Sequence, residues 1–466
     1  MNFEFERVSV SDVCELIVDC VNKTAPKVEH KTQFKMIRTP NIRNGVINLD
    51  GCNYVSEETY EKWTRRATVE KDDVLLTREA PMGEVGIIDF EDTVFLGQRI
   101  MQYRANKSKL CPRFLLYSFL SSDLKNQFYQ HEGSGSVVSH IRVPDCLKFE
   151  INLPSLKIQR KISSFLWGID QKIKNSNKVN QTLEQMAQAL FKSWFVDFEP
   201  VKAKITVLEA GGSQEDATLA AMTAISGKDA DALVVFEREH PEQYAELKAT
   251  AELFPSAIQN SELGEIPEGW CHGPLSDIAT FANGKVDVCS LTPETYISTE
   301  NMLENRAGIS TASALPSVNS VPEFRCRHVL ISNIRPYFKK IWLARFKGGR
   351  SADVLAFEAR DSVNVEYVYN LLYQEVFFNF MMLTSKGVKM PRGDKKAIMD
   401  WQCVHPDKKI SNAFSKAVGE YYSFIEINNA QNKTLTQLRD TLLPKLLSGE
   451  ITLPEVEQAI GEVENV

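Results

Sequence analysis

PSLKIQRKISSFLWGIDQKIKNSNKVNQTLEQMAQALFKSW, residues 154–194, returns in altered form as PDKKISNAFSKAVGEYYSFIEINNAQNKTLTQLRDTL, residues 406–442, after a shift of 252 residues. Pro154, Ile158, Ile162, Leu166, Ile169, Ile173, Asn180, Leu183, Met186 and Leu190 fall opposite Pro406, Ile410, Phe414, Val418, Tyr421, Ile425, Asn432, Leu435, Leu438 and Leu442. The residue types match nearly throughout. A recurrence of this length marks an internal duplication, which organises the rest of the chain.

Both copies open with proline and continue with helical periodicity. In the first, Ile162, Leu166, Ile169, Ile173, Ser176, Asn180, Leu183, Ala187, Leu190 and Trp194 alternate steps of four and three, the seam of a heptad coiled coil. Ala417, Tyr421, Phe424, Asn428, Gln431, Leu435, Leu438 and Leu442 form the corresponding seam in the second. Each seam turns polar at its middle, at Ser176 and Asn180 and at Asn428 and Gln431, where buried polar groups can fix register by pairing. Two homotypic interactions would also satisfy the pattern. Intramolecular antiparallel pairing is favoured, because both helices belong to one chain and opposite running puts the globular segments at opposite ends. The first helix, from about residue 158 to 194, would span roughly 55 Å at about 1.5 Å per residue and end at Asp197 to Pro200. The second is expected to stop or kink near Pro444, which lacks the helical N–H, with Ser448-Gly449 as the C-terminal stop.

The fold class that follows is α+β: two globular mixed α/β domains separated by a long antiparallel two-helix coiled coil, with pseudo-twofold symmetry from the duplication. The expected parts are a first domain (1–153), a first spacer helix (154–200), an acidic, partly helical connector (201–266), a second domain (267–405), a second spacer helix (406–448) and an acidic C-terminal tail (449–466). The domains resemble one another faintly. Val10-Ser11-Asp12-Val13 has a counterpart in Leu275-Ser276-Asp277-Ile278, and the strand Asp73 to Arg78 is echoed by His328 to Asn333. The strand Gly83 to Asp89 is answered by Ile341 to Ala344. The connector shows helical pieces at Ala230–Arg238 and Pro241–Leu253, while 207–228, containing Gly211-Gly212-Ser213, is the stretch open to disorder.

The net charge of −7 argues against a nucleic-acid partner until its distribution is read. Residues 205–266 carry twelve Asp/Glu against Lys228, Arg238 and Lys248, and residues 449–466 carry five Glu and no base, which leaves the remainder at +7. That excess permits nucleic acid, though a solvated basic face explains it equally well. No apolar run approaches a bilayer span and MNFEFERVSV lacks the pattern of a signal peptide, so a soluble, intracellular chain is expected. The nine cysteines form no CxxC pair and are expected to be reduced and mostly buried.

LPSLKIQRKISSFLWGIDQKI (153–173), LFKSWFVDFEPVKAK (190–204), SELGEIPEGW (261–270) and TLLPKLLSGEI (441–451) resemble, in order and spacing, the specificity subunits of type I restriction–modification enzymes. The resemblance covers essentially the whole chain. It implies two target-recognition domains, each reading half of a split site on double-stranded DNA. It also implies that the two helices act as a ruler and as docking sites for two modification (adenine methyltransferase) subunits, with restriction-translocase subunits joining afterwards in the cytoplasm. A specificity subunit of this kind is non-catalytic and holds no cofactor; S-adenosylmethionine, ATP and Mg would sit on the partners. A rod of roughly 50 Å spaces two readers by about one to one and a half turns of B-DNA. The recognition domains vary widely across the family, so no base specificity is transferred.

Polar loops rich in Arg, Lys, Asn and Ser are the candidate reading surfaces, because guanidinium and amide groups make bidentate contacts to base edges while hydroxyls and ammoniums hold phosphates. In the first domain these are Arg38, Asn41, Arg43, Asn44, Arg65, Arg66 and Arg78, and the segment Gly133-Ser134-Gly135-Ser136 through Ser139, His140 and Arg142. That segment resembles the glycine- and serine-rich loop of the family's recognition domains. Its counterpart in the second domain runs from Ser385 through Lys386, Gly387, Val388, Lys389, Met390 and Pro391 to Arg392, followed by Lys395-Lys396. Arg335, Lys339 and Lys340 form another basic cluster. Each of these residues also reads as an ordinary exposed charge, and the two Gly-containing loops are the strongest candidates.

Trp194, Phe195 and Phe198 extend past the first seam. They either cap the intramolecular core, the favoured reading for Trp194, or form an apolar patch for a partner's helices, with Leu442, Leu443, Leu446 and Leu447 as its repeat-related copy. There is no GxxxxGK[ST], no Asn/Asp-Pro-Pro-aromatic tetrapeptide and no HExxH, and the seven histidines are dispersed. One nuclease-like pattern occurs, Pro144-Asp145 followed by Asp170-x-Lys172, but its second pair falls between Ile169 and Ile173 on what reads as a solvated helix face. The competing readings are a self-contained DNA methyltransferase or nuclease, which S-adenosylmethionine binding by the isolated chain would favour, and a coiled-coil adaptor that touches no DNA.

Overall fold

The structure, a computed structural model, describes residues 5–130, 140–262 and 264–453. Packing divides the chain into two units: residues up to Ser176 together with those from Ala430 on, and Asn177–Asn429. Two long helices, Leu156–Phe195 and Lys408–Ser448, each contribute one part to either unit.

The first unit is built on a four-stranded antiparallel sheet. Its strands are β2 (Cys14–Asp19), β3 (Val74–Thr77), β4 (Val85–Ile87) and β5 (Ile100–Ala105), in spatial order β2-β5-β3-β4. β3 reads VLLT without polar alternation because both its faces are covered. Val74 and Leu76 enter one core, and Leu75, pointing oppositely as strand geometry requires, enters another. The buried Asp73 before it accepts from Arg104 Nε at 2.9 Å and from Gln102 Nε2 at 2.7 Å. Two short helices follow, Pro112–Leu120 and Ser122–Gln130, the first with Pro112 in its opening turn, where the missing N–H costs nothing. The ends of the domain are stapled together by β1 (Glu6–Ser9) pairing antiparallel with β6 (Glu150–Leu153).

The second unit repeats this plan. β7 (Cys271–Pro274) pairs with β12 (Gln402–His405), and the sheet of β8 (Ala279–Phe281), β9 (Val329–Ser332), β10 (Ile341–Leu343) and β11 (Val354–Ala359) has the order β8-β11-β9-β10. β3 and β9, and β4 and β10, thus hold equivalent places, as the faint sequence echoes indicated. Val329 and Ile331 face one core and Leu330 another, the same division as in β3. The helices Val365–Tyr373 and Glu375–Leu383 occupy the places of the first unit's short pair.

The long helices run antiparallel within each unit. In the first, Asp170 meets Arg439 while Asn152, before the first helix, donates to the Leu447 carbonyl at 3.2 Å, and Ile162 and Leu166 share a core with Leu443, Leu446 and Leu447. In the second, Asn180 bonds Asn428 and Asn429 at 2.8 and 2.9 Å, and the rings of Phe191, Trp194 and Phe195 surround Phe414. The polar middle of the seam therefore pairs with itself, although through Asn428 and Asn429; Gln431 is exposed.

Three expectations are corrected. The heptad seam assigned to the second helix is displaced, since Ala417 and Phe424 are exposed and Val418, Tyr422 and Ile425 are buried. There the helix packs against the body of its own unit, and the contact follows the 3.6-residue period of a straight helix. Pro444 does not stop that helix: helix continues to Ser448, with Gly449 left-handed at φ 76° beyond it. Proline removes the bond to the Asp440 carbonyl, but burial of Leu443, Leu446 and Leu447 holds the last turn. Residues 207–228, open to disorder on composition, lie mostly in the helices Glu199–Glu209 and Gln214–Ser226. Ser213 and Asp216 close a capping box and Gly227 caps the far end at φ 66°, local signals that outweigh the acidic, alanine-rich composition. The two further helical pieces of the connector are Ala230–Glu239 and Pro241–Glu252.

All nine cysteines are unpaired, and Cys271, Cys289 and Cys326 are exposed. No helix among the described residues is long and apolar enough to cross a membrane.

Candidate nucleic-acid interface

The C-terminal ends of β3 and β9 carry the same loop latch. In the first unit Arg78 donates its backbone N–H to the Arg99 carbonyl at 2.8 Å, Ile141 N–H donates to the Arg78 carbonyl at 3.0 Å, and Glu79 bridges His140. In the second, Asn333 N–H donates to the Asp353 carbonyl at 2.8 Å, Gly393 N–H donates to the Asn333 carbonyl at 3.2 Å, and Ile334 bridges Arg392. The side chains repeat the pattern: Arg78 Nη1 donates to the Ile141 carbonyl at 3.1 Å, and Asn333 Nδ2 to the Gly393 carbonyl at 3.2 Å. One set of bonds thus ties equivalent segments to the strand exits, His140–Ile141 ahead of β6 and Arg392–Gly393 ahead of β12.

In the first unit this geometry gathers several predicted residues. Thr39 Oγ1 donates to the Ala80 carbonyl at 2.9 Å, bringing the 38–44 segment beside the β3 exit, and Asn44 N–H donates to Glu84 at 3.1 Å. Asn41 is buried and builds this segment, accepting from Arg38 N–H at 2.9 Å and donating to the Asn48 carbonyl at 3.0 Å. It is a support, not an exposed reader. Arg43 is exposed, with Nη1 donating to the Thr39 and Ile42 carbonyls. The Nε atoms of Arg38 and Arg78 are buried with no acceptor among the described residues. Arg65 and Arg66 stand apart: Arg66 pairs with Asp19 at 2.5 Å, and no described contact joins either to the Arg78 group. Ser134, Ser136 and Ser139 lie outside the described residues.

In the second unit the basic cluster splits by role. Arg335 adopts a left-handed backbone at φ 50°, donates its N–H to the Pro391 carbonyl at 2.8 Å, and leaves Nε buried without an acceptor among the described residues. A non-glycine residue in that region is strained, and such positions cluster at binding sites. Lys339, also left-handed at φ 51°, pairs with Glu375 at 2.6 Å, and Arg306 reaches the same carboxylate at 3.1 Å. The two cations hold the Glu375 carboxyl below its ordinary range, with the Lys339 bond the larger cause. Lys340 Nζ donates to the Thr299 carbonyl at 2.8 Å and is structural. In the loop itself, Lys386 pairs with Asp394 at 2.5 Å and Arg392 with Asp353 at 3.2 Å, while Lys389 and Lys395 are exposed with no ion-pair partner among the described residues.

A family model described as the type I restriction modification DNA specificity domain matches residues 2–185. Over 413 residues, 83% of this chain and 88% of the relative, the chain is 28% identical to the type I restriction enzyme HindI specificity subunit of Haemophilus influenzae. The chain is thus similar to the specificity subunits of type I restriction enzymes. It is also 24% identical, over 83% of its length and 79% of the relative's, to the type I restriction enzyme MjaIX specificity subunit of Methanocaldococcus jannaschii. Among solved structures, the S subunit of a type I restriction-modification system from M. genitalium aligns over 96% of both chains at 13% identity, with a TM-score of 0.48. The HsdS subunit from Thermoanaerobacter tengcongensis aligns over 96% of this chain and 97% of that one, at 13% identity and a TM-score of 0.31.

The expected partner patches are spent in the cores. Trp194, Phe195 and Phe198 are buried, packed with Phe254 and Trp270, and Leu443, Leu446 and Leu447 are buried in the first unit; Leu442 is half-buried. The capping alternative for Trp194 is the one the packing realises. The nuclease-like pattern also dissolves. Asp145 is buried between Arg142 and Lys148, at 2.8 and 2.9 Å, and the Lys148 bond is the chief cause of its lowered pKa. Asp170 is no solvated carboxylate, since it accepts from Tyr117 and Arg439. Asn333 and Arg99 are the site residues that sequence reasoning missed. The alignment of His328–Asn333 with Asp73–Arg78 was the available signal for Asn333; nothing local marked Arg99, which sits beside Glu79 at 3.2 Å.

Proposed function

We infer that this chain is a type I specificity subunit: it reads a split site on double-stranded DNA, one half with the strand-exit loops of each unit, and carries two modification (adenine methyltransferase) subunits on its long helices. Restriction-translocase subunits join the assembly afterwards. The observation that carries this reading is the repeated latch at Arg78 and Asn333, which ties His140–Ile141 in one unit and Arg392–Gly393 in the other to equivalent strand exits. Guanidinium groups are suited to guanine edges and phosphates, and lysines chiefly to phosphates. Two readers on one chain multiply discrimination, because the second contact is intramolecular once the first is made. The chain itself does no chemistry in this reading, and S-adenosylmethionine, ATP and Mg are held by its partners.

The test is single-molecule sequencing of adenine methylation in DNA from cells that express this chain with its neighbouring modification subunit, against cells that lack it. New methylation at one split motif is expected. Its absence, with both subunits demonstrably co-purifying, would overturn the reading and favour an adaptor that touches no DNA.

A further inference from the structure

We propose that the loop Ser385–Arg392 of the second unit is a base-step wedge: Val388 and Met390 enter the stack of a bound duplex between adjacent base pairs, while Lys389 holds a flanking phosphate and the ion-paired Lys386 and Arg392 brace the neck. The proposal rests on the DNA-reading assignment above and specifies what this one loop does there.

Val388 is 101% exposed, Met390 47%, and Leu383, at the entry to the loop, 86%. Single exposed apolar residues are ordinary. Here three fall within eight positions, and cations at 386, 389, 392 and 395 alternate with them. A loop built only for solvation has no use for that interleaving, whereas a duplex offers both of its partners, a stack of apolar base faces and a rim of phosphates.

The neck of the loop is fixed. Lys386 N–H donates to the Arg392 carbonyl at 2.8 Å and Arg392 N–H to the Lys386 carbonyl at 2.9 Å. Arg335 N–H donates to the Pro391 carbonyl at 2.8 Å, and the Asp394 and Asp353 carboxylates hold the Lys386 and Arg392 side chains beside the neck. Gly387 takes φ 96°, and a Cβ there would meet the Met390 carbonyl oxygen at 3.2 Å. The apolar tip is therefore presented on a closed support and loses little conformational freedom on binding. Apolar side chains delivered this way part flexible pyrimidine–purine steps and kink the duplex.

The experiment uses the full-length chain bound to its modification subunit and duplexes carrying the split motif found by methylation sequencing, with 2-aminopurine replacing in turn each adenine of both half-sites except the methylated ones, which a methyltransferase itself flips out of the stack. The expected result is a rise in 2-aminopurine fluorescence on binding at one step. The double variant V388S/M390S, altered only at exposed positions, should abolish that rise and lose roughly tenfold in affinity for the motif, with non-specific affinity unchanged. Specific binding without a rise at any step, or a rise that V388S/M390S leaves intact, would overturn the wedge and leave the DNA-reading assignment standing. Failure of the wild-type complex to prefer the motif over unrelated duplex would remove both.

Discussion

Arg439 donates to one oxygen of the Asp170 carboxylate at 2.8 Å, and Tyr117 donates to the other at 2.6 Å. The Arg439 and Asp170 side chains are 21% and 24% exposed, so this contact between the long helices is largely withdrawn from water. Burial and the adjacent carboxylate push the Tyr117 hydroxyl pKa up, which keeps it a donor. Removing Arg439 leaves a half-buried carboxylate without its cation. R439A is expected to destabilise the first unit by about 1–3 kcal/mol, read as a lowered urea midpoint of that unit's transition while the second unit's transition stays in place. R439A and D170N should couple in a double-mutant cycle; additive effects would show that the two groups do not support one another.

The second unit should be sensitive to mild acid. His328 is buried, with Nδ1 accepting the Arg325 N–H at 3.2 Å, and burial lowers its pKa against the opposing pull of Glu358. His405 is half-buried and is lowered for the same first reason, with Asp277 opposing. A base whose folded pKa lies below its unfolded value is protonated first in the unfolded chain. Stability is therefore intact above the unfolded value of about 6.5 and falls as pH drops below it towards the folded pKa. The thermal midpoint of the second unit is expected to decline between about pH 7 and pH 5. H328N, which keeps an acceptor but never charges, should flatten part of that decline. An unchanged slope in H328N would assign the acid sensitivity elsewhere.

The duplication and the strand echoes were legible because they depend on residue type at fixed separation, which the sequence carries directly. Val74 to Thr77 and Val329 to Ser332 read as strands and occupy equivalent places in the two sheets. What failed depended on contacts between residues far apart in the chain. Phe424 looked like a seam residue because it stands at a four-three step, yet the face that packs is chosen by Tyr367, Tyr369 and Asn370, some fifty residues earlier. Phe195 and Phe198 were left open to a partner until Trp270, beyond the connector, covered them. The latch at Arg78 and Asn333 was not visible in the sequence, because its bonds go mostly to backbone carbonyls that any residue supplies.

Salt dependence separates the roles of the loop cations. Lys389 is exposed with no ion-pair partner among the described residues, whereas Lys386 is already paired with Asp394 and Arg392 with Asp353. A lysine that releases a counterion from a phosphate contributes about 0.9 to the slope of log affinity against log salt concentration. K389A is expected to reduce that slope by about this amount while leaving motif preference unchanged. K386A should change it less, because its charge is partly neutralised within the protein. Fluorescence anisotropy across a salt series measures both, and equal effects of the two variants would contradict the distinction.

Arg78 and Asn333 should each govern one half of the recognised site. Both latch their loop through the same carbonyl position, at 3.1 and 3.2 Å, but Arg78 keeps a buried Nε without an acceptor among the described residues, while Asn333 has its Oδ1 in that state. R78A therefore frees the first loop and removes a guanidinium from the site, and N333A frees the second loop without removing a cation. Methylation sequencing is expected to show R78A relaxing one half-site, with a loss of about 1–3 kcal/mol of discrimination at the affected bases, and N333A relaxing the other. Because N333A removes no charge, its binding to unrelated DNA should be unchanged, whereas R78A should weaken it. Relaxation of both halves by either single variant would mean that the two units do not read separately.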